Sequence, residues 1–183
     1  MSVSVYLPDS EPGPLSTSLA PSPSSLTGMR IAVLDNGKPN ADVVMVRAAE
    51  SLAARTGAVV SVITKKGPLG QSANAAIPLA DDRLELLLAE ADVVITGAAD
   101  CGSCTAYSLH DAIELERNGK PTVVTTTTQF EPVAKTLSIS FGAPDTRLLV
   151  LPHPIGGTDE STLNEWADAA VDRMIALFTG QSS

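Results

Sequence analysis

The strongest constraint on the fold of this chain is a regular alternation between short apolar runs and longer stretches with helical spacing. The apolar runs are residues 30–34, 58–64, 92–96, 121–126 and 147–151. Helical patterns follow them at residues 41–56, 81–90, 105–117, 131–141 and 159–178. Continuous β-branched strands that alternate with amphipathic helices are typical of a parallel sheet with helices on both faces. We therefore predict an α/β fold: a three-layer, doubly wound, five-stranded parallel sheet with the flavodoxin-like order 2-1-3-4-5.

The carboxyl ends of four predicted strands are followed by loops that are rich in polar side chains, glycine and proline. These loops comprise residues 35–40, 100–104, 125–130 and 153–157. In open parallel sheets, ligands bind beyond the carboxyl ends of the strands, near the point where the strand order reverses. We expect the four loops to form one rim and the functional site to lie there.

The first 28 residues differ from the rest of the chain because serine and proline dominate them. We predict a disordered tail over residues 1–28 and a single α/β domain over residues 29–183. The sequence shows neither a secretory-signal pattern nor an apolar run of membrane-spanning length, so we expect a cytoplasmic protein without a membrane partner. The net charge of −9, without a cluster of lysine and arginine, argues against a nucleic-acid partner.

Both cysteines of the chain, Cys101 and Cys104, lie between the third strand and the helix that follows it. The free backbone N–H groups at the start of a helix favour an anion, and cysteines in such positions or in Cys-x-x-Cys sequences have lowered pKa values. We interpret Cys101 as an exposed nucleophile. Cys104 follows about one helical turn later and is interpreted as the resolving thiol that closes a disulfide with it.

Two other interpretations of the cysteine pair stay open at this point. Free cysteines often pack in a protein core, so both thiols can be structural. A zinc site would need two further ligands, and the chain offers only His110 and His153, so we expect no metal. The sequence also lacks the glycine-rich motifs that hold dinucleotides and nucleoside triphosphates, and the first strand is not followed by a phosphate loop. We therefore expect no cofactor.

The other candidate residues come from the same rim. His153, which lies between two prolines, and Asp35, which ends the first strand, are the candidate catalytic groups for proton transfer. Polar groups on the four loops are the predicted substrate contacts, and they are Asn36, Lys38, Asn40, Asp100, Ser103, Thr126, Thr127, Thr128 and Gly156. Asp100 is in addition a candidate cap for the third helix.

Three motifs of this chain together resemble the UGSC family of (seleno)proteins. They are residues 35–42 (DNGKPNAD), residues 100–105 (DCGSCT) with 110–112 (HDA), and residues 152–157 (PHPIGG). The resemblance covers the chain from about Arg30 to the C-terminus. Some members carry selenocysteine at the position that matches Cys101, which implies that this position holds the nucleophilic or redox-active atom. The family is described as predicted thiol oxidoreductases, so the resemblance supports the site and leaves the reaction open.

Three functions follow as hypotheses. In the first, Cys101 and Cys104 cycle between dithiol and disulfide while an enzyme acts on a small-molecule substrate or a thiol partner. In the second, Cys101 adds covalently to its substrate without net redox change, as in the cis–trans isomerisation of an unsaturated acyl group, which a carrier protein could deliver. In the third, the chain is a non-catalytic redox-sensing or binding module. A homodimer is a further expectation, prompted by Trp166 and Phe178 in the last helix.

Overall fold

The computed structural model describes residues 17–65 and 72–181 of the chain. These residues form a five-stranded sheet in which all neighbouring strands are parallel. The strand order is β2-β1-β3-β4-β5, which confirms the predicted flavodoxin-like topology. The order reverses beside β1, so the loops after β1 and β3 flank the position at which such sheets bind ligands.

Within the described residues, the sheet is accompanied by six α-helices. The strands are β1 (Arg30–Asp35), β2 (Val59–Thr64), β3 (Val93–Ala99), β4 (Thr122–Thr127) and β5 (Arg147–Leu151). The helices are α1 (Ala41–Thr56), α2 (Asp81–Glu90), α3 (Gly102–Arg117), α4 (Glu131–Ser140), α5 (Glu160–Ala169) and α6 (Val171–Thr179). A short 3-10 helix, Ser72–Ala76, lies between β2 and α2. None of the helices in the described part of the chain is both long and apolar enough to cross a bilayer.

The side chains of the central strands alternate between apolar cores on the two faces of the sheet. In β1, Ile31 and Val33 pack with α1, α5 and α6, whereas Ala32 and Leu34 pack with α2 and α3. A further cluster joins α3 and α4 to Val124 of β4. Because helices cover both faces of the sheet, the strand side chains on both faces are buried. The strands therefore appear in the sequence as continuous apolar runs.

The two aromatic residues that prompted the expectation of a dimer lie on the core side of the last two helices. Phe178 is fully buried in the core under α1, α5 and α6, and the partly buried Trp166 packs against the same core. Both side chains are thus used within the chain. A homodimer stays a prediction.

The segment 17–28 packs against the domain, so the prediction of a disordered tail is wrong for these residues. The backbone N–H of Ala20 donates to the Glu116 carboxylate at 2.6 Å, and the Arg147 guanidinium donates to the Ala20 carbonyl at 2.8 Å. Glu116 and Arg147 form a buried ion pair with each other, and Leu26 is also buried. Composition alone missed this, because the partners of the segment are 96 and 127 residues away. Residues 1–16 lie outside the described residues.

One predicted helix also needs correction. The predicted last helix, 159–178, is interrupted at Ala170, whose N–H is shared between the carbonyl groups of two preceding residues. Apolar periodicity continues through Ala170, so it could not reveal this break.

Candidate functional site

The connection from β3 to α3 places both cysteines at the carboxyl edge of the sheet. β3 continues beyond its predicted end at Thr96, and its pairing with β4 is irregular between Gly97 and Ala99. Gly97 and Ala98 have φ values of 106° and 49°. A Cβ atom on Gly97 would lie 2.3 Å from the carbonyl oxygen of Thr125, so only glycine fits there. A left-handed alanine is strained, and such strain is found most often at functional sites.

Cys101 is the N-cap of α3, which begins at Gly102 and thus three residues earlier than predicted. The Cys101 Sγ atom accepts a hydrogen bond of 3.3 Å from the backbone N–H of Cys104 and lies 3.8 Å from the Ser103 hydroxyl. The prediction that Asp100 caps this helix is therefore wrong, because the sulfur occupies the capping position. A thiolate at this position is stabilised by the backbone N–H groups of the first turn.

Cys104 lies on the first turn of α3, and its side chain is fully buried. The two sulfurs are at disulfide-bonding distance, and the Cα atoms are 5.5 Å apart. Ala75 and Ala99 form a buried cluster with Cys104, against which the half-buried Cys101 packs. The two sulfurs are therefore adjacent but differ in their access to solvent.

Asp100 connects the cysteine turn to the loop after β5. Its Oδ2 atom accepts a hydrogen bond of 3.1 Å from the backbone N–H of Gly156. A Cβ atom on Gly156 would lie 3.3 Å from the same oxygen, so the loop approaches the carboxylate closely. The structure thus brings together two of the predicted substrate contacts and uses them to hold one loop against the other.

Asn36 and Asn40 make similar connections from the loop after β1. The Asn36 amide donates to the carbonyl of Gly97, where β3 becomes irregular. The Asn40 amide donates to the carbonyls of Ile155 at 3.0 Å and Thr158 at 2.9 Å. Both side chains were predicted to contact substrate, whereas the structure shows them binding neighbouring loops.

Asp35 is a buried carboxyl group at the end of β1, beside the point of strand-order reversal. Burial raises the pKa of this carboxyl, although the backbone N–H of Gly37 donates to it at 2.8 Å and opposes the shift. The negative charge of Asp42 adds to the increase in pKa. A carboxyl with a raised pKa exchanges protons closer to neutral pH than an ordinary aspartate, as a general acid or base requires.

The predicted catalytic histidine follows β5 and contacts the end of β4 and the residue that precedes α4. His153 Nδ1 is hydrogen-bonded to the Thr127 hydroxyl at 3.1 Å, and its ring is 5.9 Å from that of Phe130. Thr126 is buried and donates to the carbonyl of Ala99 at 3.2 Å. The two threonine hydroxyls therefore have protein partners, and the threonines order this side of the rim.

The remaining predicted contacts follow three different strands. Lys38 is half-buried after β1, whereas Ser103 in α3 and Thr128 after β4 are exposed. The backbone N–H of Thr128 donates to the Leu151 carbonyl at 2.9 Å, which fixes its loop to β5. Ser103 and Thr128 are therefore the two predicted contacts that are exposed to solvent.

Asp100, Cys101 and Cys104 are the only described residues that form a cluster of potential metal ligands. One ligand atom from each lies within 4.8 Å of the others, and His153 is not part of the cluster. The Asp100 carboxylate already accepts from Gly156. With three ligands, of which two are sulfurs at bonding distance, the cluster is better suited to thiol chemistry than to a closed tetrahedral zinc site.

A buried ion pair on the helix that carries Cys104 was not predicted from the sequence. Lys65, directly after β2, pairs with Asp111 of α3, and both side chains are at most 2% exposed. The ammonium group of Lys65 also lies 5.8 Å from the centre of the Tyr107 ring. One signal was available, because Asp111 follows Cys104 by seven residues and therefore shares its helix face.

A family model described as UGSC family matches residues 5–180 of this chain. The match extends over nearly the whole sequence, including part of the segment that was predicted to be a disordered tail. A search of curated proteins finds no match.

Two flavodoxins are among the solved structures that resemble this chain. One is the Streptococcus pneumonia TIGR4 flavodoxin, with 14% identity and a TM-score of 0.43, covering 80% of this chain and 99% of that one. The other is a short-chain flavodoxin associated with a non-canonical PDU bacterial microcompartment, with 13% identity and a TM-score of 0.40, covering 80% of this chain and 98% of that one. The fold assignment itself rests on the strand order.

Proposed function

The chain belongs to the UGSC family, and from this membership together with the geometry of its cysteines we propose that it is a thiol-dependent oxidoreductase. Cys101 is the nucleophile toward a small-molecule substrate, and Cys104 is the resolving thiol. The observation that carries the proposal is the position of Cys101 as N-cap of α3, with the sulfur of Cys104 at bonding distance. A cytoplasmic location, where thiol reductants are abundant, is part of the proposal.

The reaction is a pair of thiol–disulfide exchanges. The Cys101 thiolate attacks one sulfur of a disulfide substrate, forms a mixed disulfide and releases the other half of the substrate as a thiolate. The Cys104 thiolate then attacks the Cys101 sulfur and releases the second half. The substrate gains two electrons and the protein becomes the Cys101–Cys104 disulfide. Two equivalents of an external thiol then reduce it to the dithiol and become a disulfide themselves.

The rim supports this chemistry by holding the reactive turn in place. Asp100 fixes it to Gly156, and Asn36 fixes the loop after β1 to Gly97. Rigid positioning of a nucleophile lowers the entropy that must be lost in the transition state. Ser103 and Thr128 are proposed contacts to the substrate because they are exposed, and Lys38 is a third because its ammonium group can bind a carboxylate.

The proposal is tested with hydroxyethyl disulfide as substrate and glutathione as reductant. We expect turnover by the unaltered protein, its loss in Cys101→Ser, and at least a tenfold decrease in Cys104→Ser. Thiol trapping with mass spectrometry after mild oxidation should detect the Cys101–Cys104 disulfide. Full activity of Cys104→Ser, together with failure to detect that disulfide, would overturn the proposal.

Covalent catalysis without net redox change is the second candidate, and the buried Asp35 favours it. A carboxyl whose pKa is raised by burial can pass a proton to and from a substrate to which Cys101 has added. A suitable substrate class is an unsaturated acyl thioester, free or attached to a carrier protein. Isomerisation of such a thioester without any reductant, retained in Cys104→Ser and lost in Asp35→Asn, would select this route over the first.

A further inference from the structure

One carboxylate of α3, that of Asp111, binds the segment that leads into α2. The Oδ1 atom of Asp111 accepts a hydrogen bond of 2.9 Å from the backbone N–H of Leu79, and its Oδ2 atom pairs with Lys65. The amide of Asn74 donates to the Lys65 carbonyl at 3.3 Å. Lys65, which precedes this segment, and Leu79, which lies at its end, are thus both bound to the side chain of Asp111.

The same face of α3 carries the resolving cysteine. Cys104 and Asp111 are seven residues apart, which places them about two turns, or roughly 10 Å, apart along one face of the helix. Ala75 of the 3-10 helix is 2% exposed and packs in one cluster with Cys104. The described residues 72–79 therefore extend from the ion pair to the buried sulfur.

The consequence is an unequal exposure of the two sulfurs. Cys104 is 0% exposed, whereas Cys101 is half-buried at the edge of the same cluster. Thiol–disulfide exchange requires the attacking sulfur to approach along the S–S axis, so access decides which sulfur is attacked.

We propose that the Lys65–Asp111 ion pair determines the direction of thiol exchange by holding residues 72–79 over Cys104. The inference rests on the proposed function and adds a positioning role for Asp111. An external thiolate attacks the Cys101 sulfur, the S–S bond breaks, and Cys104 leaves as the thiolate. Residues 72–79 prevent a mixed disulfide on Cys104. Such a mixed disulfide would leave Cys101 free to react with a second substrate.

The test measures alkylation of each cysteine by iodoacetamide in the reduced full-length protein at pH 7.5, using Cys101→Ser and Cys104→Ser as single-cysteine backgrounds. We expect Cys104 to react at least tenfold more slowly than Cys101. Asp111→Ala removes both hydrogen-bonded contacts and should accelerate the alkylation of Cys104 at least tenfold. The alkylation rate of Cys101 should change less than twofold.

Asp168→Ala is the matched control, because it removes a carboxylate from an exposed ion pair with Arg47 and should change neither rate. If Asp111→Ala does not fold by circular dichroism, Asp111→Asn removes the charge that pairs with Lys65, while the amide oxygen can still accept from the backbone N–H of Leu79. This variant should accelerate the alkylation of Cys104 at least threefold. No acceleration in a folded variant, or an equal acceleration of both cysteines, would overturn the inference.

The failure of this inference is distinguishable from that of the proposed function. If Cys101 reacts no faster than a free cysteine but Asp111→Ala still exposes Cys104, the proposed function fails and the role of the ion pair stands. If Cys101 is highly reactive and Cys104 is unaffected by Asp111→Ala, only the role of the ion pair is refuted.

Discussion

The carboxylate of Asp100 accepts a hydrogen bond from the backbone N–H of Gly156, across 56 residues of sequence. This bond holds the residue before Cys101 against the loop after β5. The same carboxylate lies within 4.8 Å of both sulfurs, where its negative charge opposes the formation of a thiolate. Asp100 therefore orders the cysteine turn, and we expect its charge to moderate the reactivity of Cys101.

We expect Asp100→Asn to make Cys101 more reactive, because the amide oxygen can still accept from Gly156 while the charge is lost. One unit charge at about 5 Å in water-like surroundings is worth about 1 kcal/mol, or roughly a fivefold change in thiolate population. Iodoacetamide alkylation of the reduced protein at pH 6.5 measures this change. Asp172→Asn, at an exposed carboxylate of α6, should have no effect, and a slower reaction of Asp100→Asn would contradict the prediction.

Gly97→Ala should strongly destabilise the protein. The new methyl group would lie 2.3 Å from the Thr125 carbonyl oxygen, in a backbone conformation with φ of 106°, and we expect a cost of about 3 kcal/mol or more. Gly102→Ala is the matched control, since its methyl group would meet no atom within 4 Å at the start of α3. Urea denaturation of both variants checks the difference, and equal stabilities would show that β3 can move away from β4.

Arg147→Met should lower the free energy of unfolding by about 3–5 kcal/mol. The substitution leaves the buried Glu116 carboxylate without its cation and releases the carbonyl of Ala20. The corresponding change in an exposed pair, Arg55→Met opposite Asp172, should cost less than about 1 kcal/mol. Thermal and urea unfolding provide the comparison. A similar small effect for both arginines would mean that segment 17–28 contributes little to stability.

Asp35→Asn should stabilise the protein at neutral pH and leave its stability unchanged at strongly acidic pH. Burial raises the pKa of Asp35 above the ordinary value of 3.8, so the unfolded chain releases this proton at a lower pH than the folded protein. The wild type therefore loses stability as the pH rises from about 3.8 through the folded pKa, and the variant does not. Urea unfolding at pH 3.5, 5 and 7 measures the difference. A variant less stable than the wild type at pH 7 would contradict the assignment.

The alternation of apolar runs and helical patterns was sufficient to predict the sheet, its order and the rim at which the cysteines lie. This information is local, because burial on both faces requires a continuous apolar strand and a covering helix requires an apolar stripe. The capping position of Cys101 was less accessible to prediction. A sulfur is not a usual cap, and the helix begins before its apolar pattern does.

The sequence by itself determined the five strands, the helices that follow them and the adjacency of Cys101 and Cys104, because each depends on residues close together in the chain. It did not reveal the start of α3 or the break at Ala170. Only the tertiary structure decided that Asn36, Asn40 and Asp100 bind neighbouring loops, and that Asp111 binds Lys65. Such contacts depend on which distant groups the fold brings within hydrogen-bond distance, and neither composition nor periodicity contains that distance. A polar side chain on a rim loop has the same one-letter code whether it contacts a substrate or another loop.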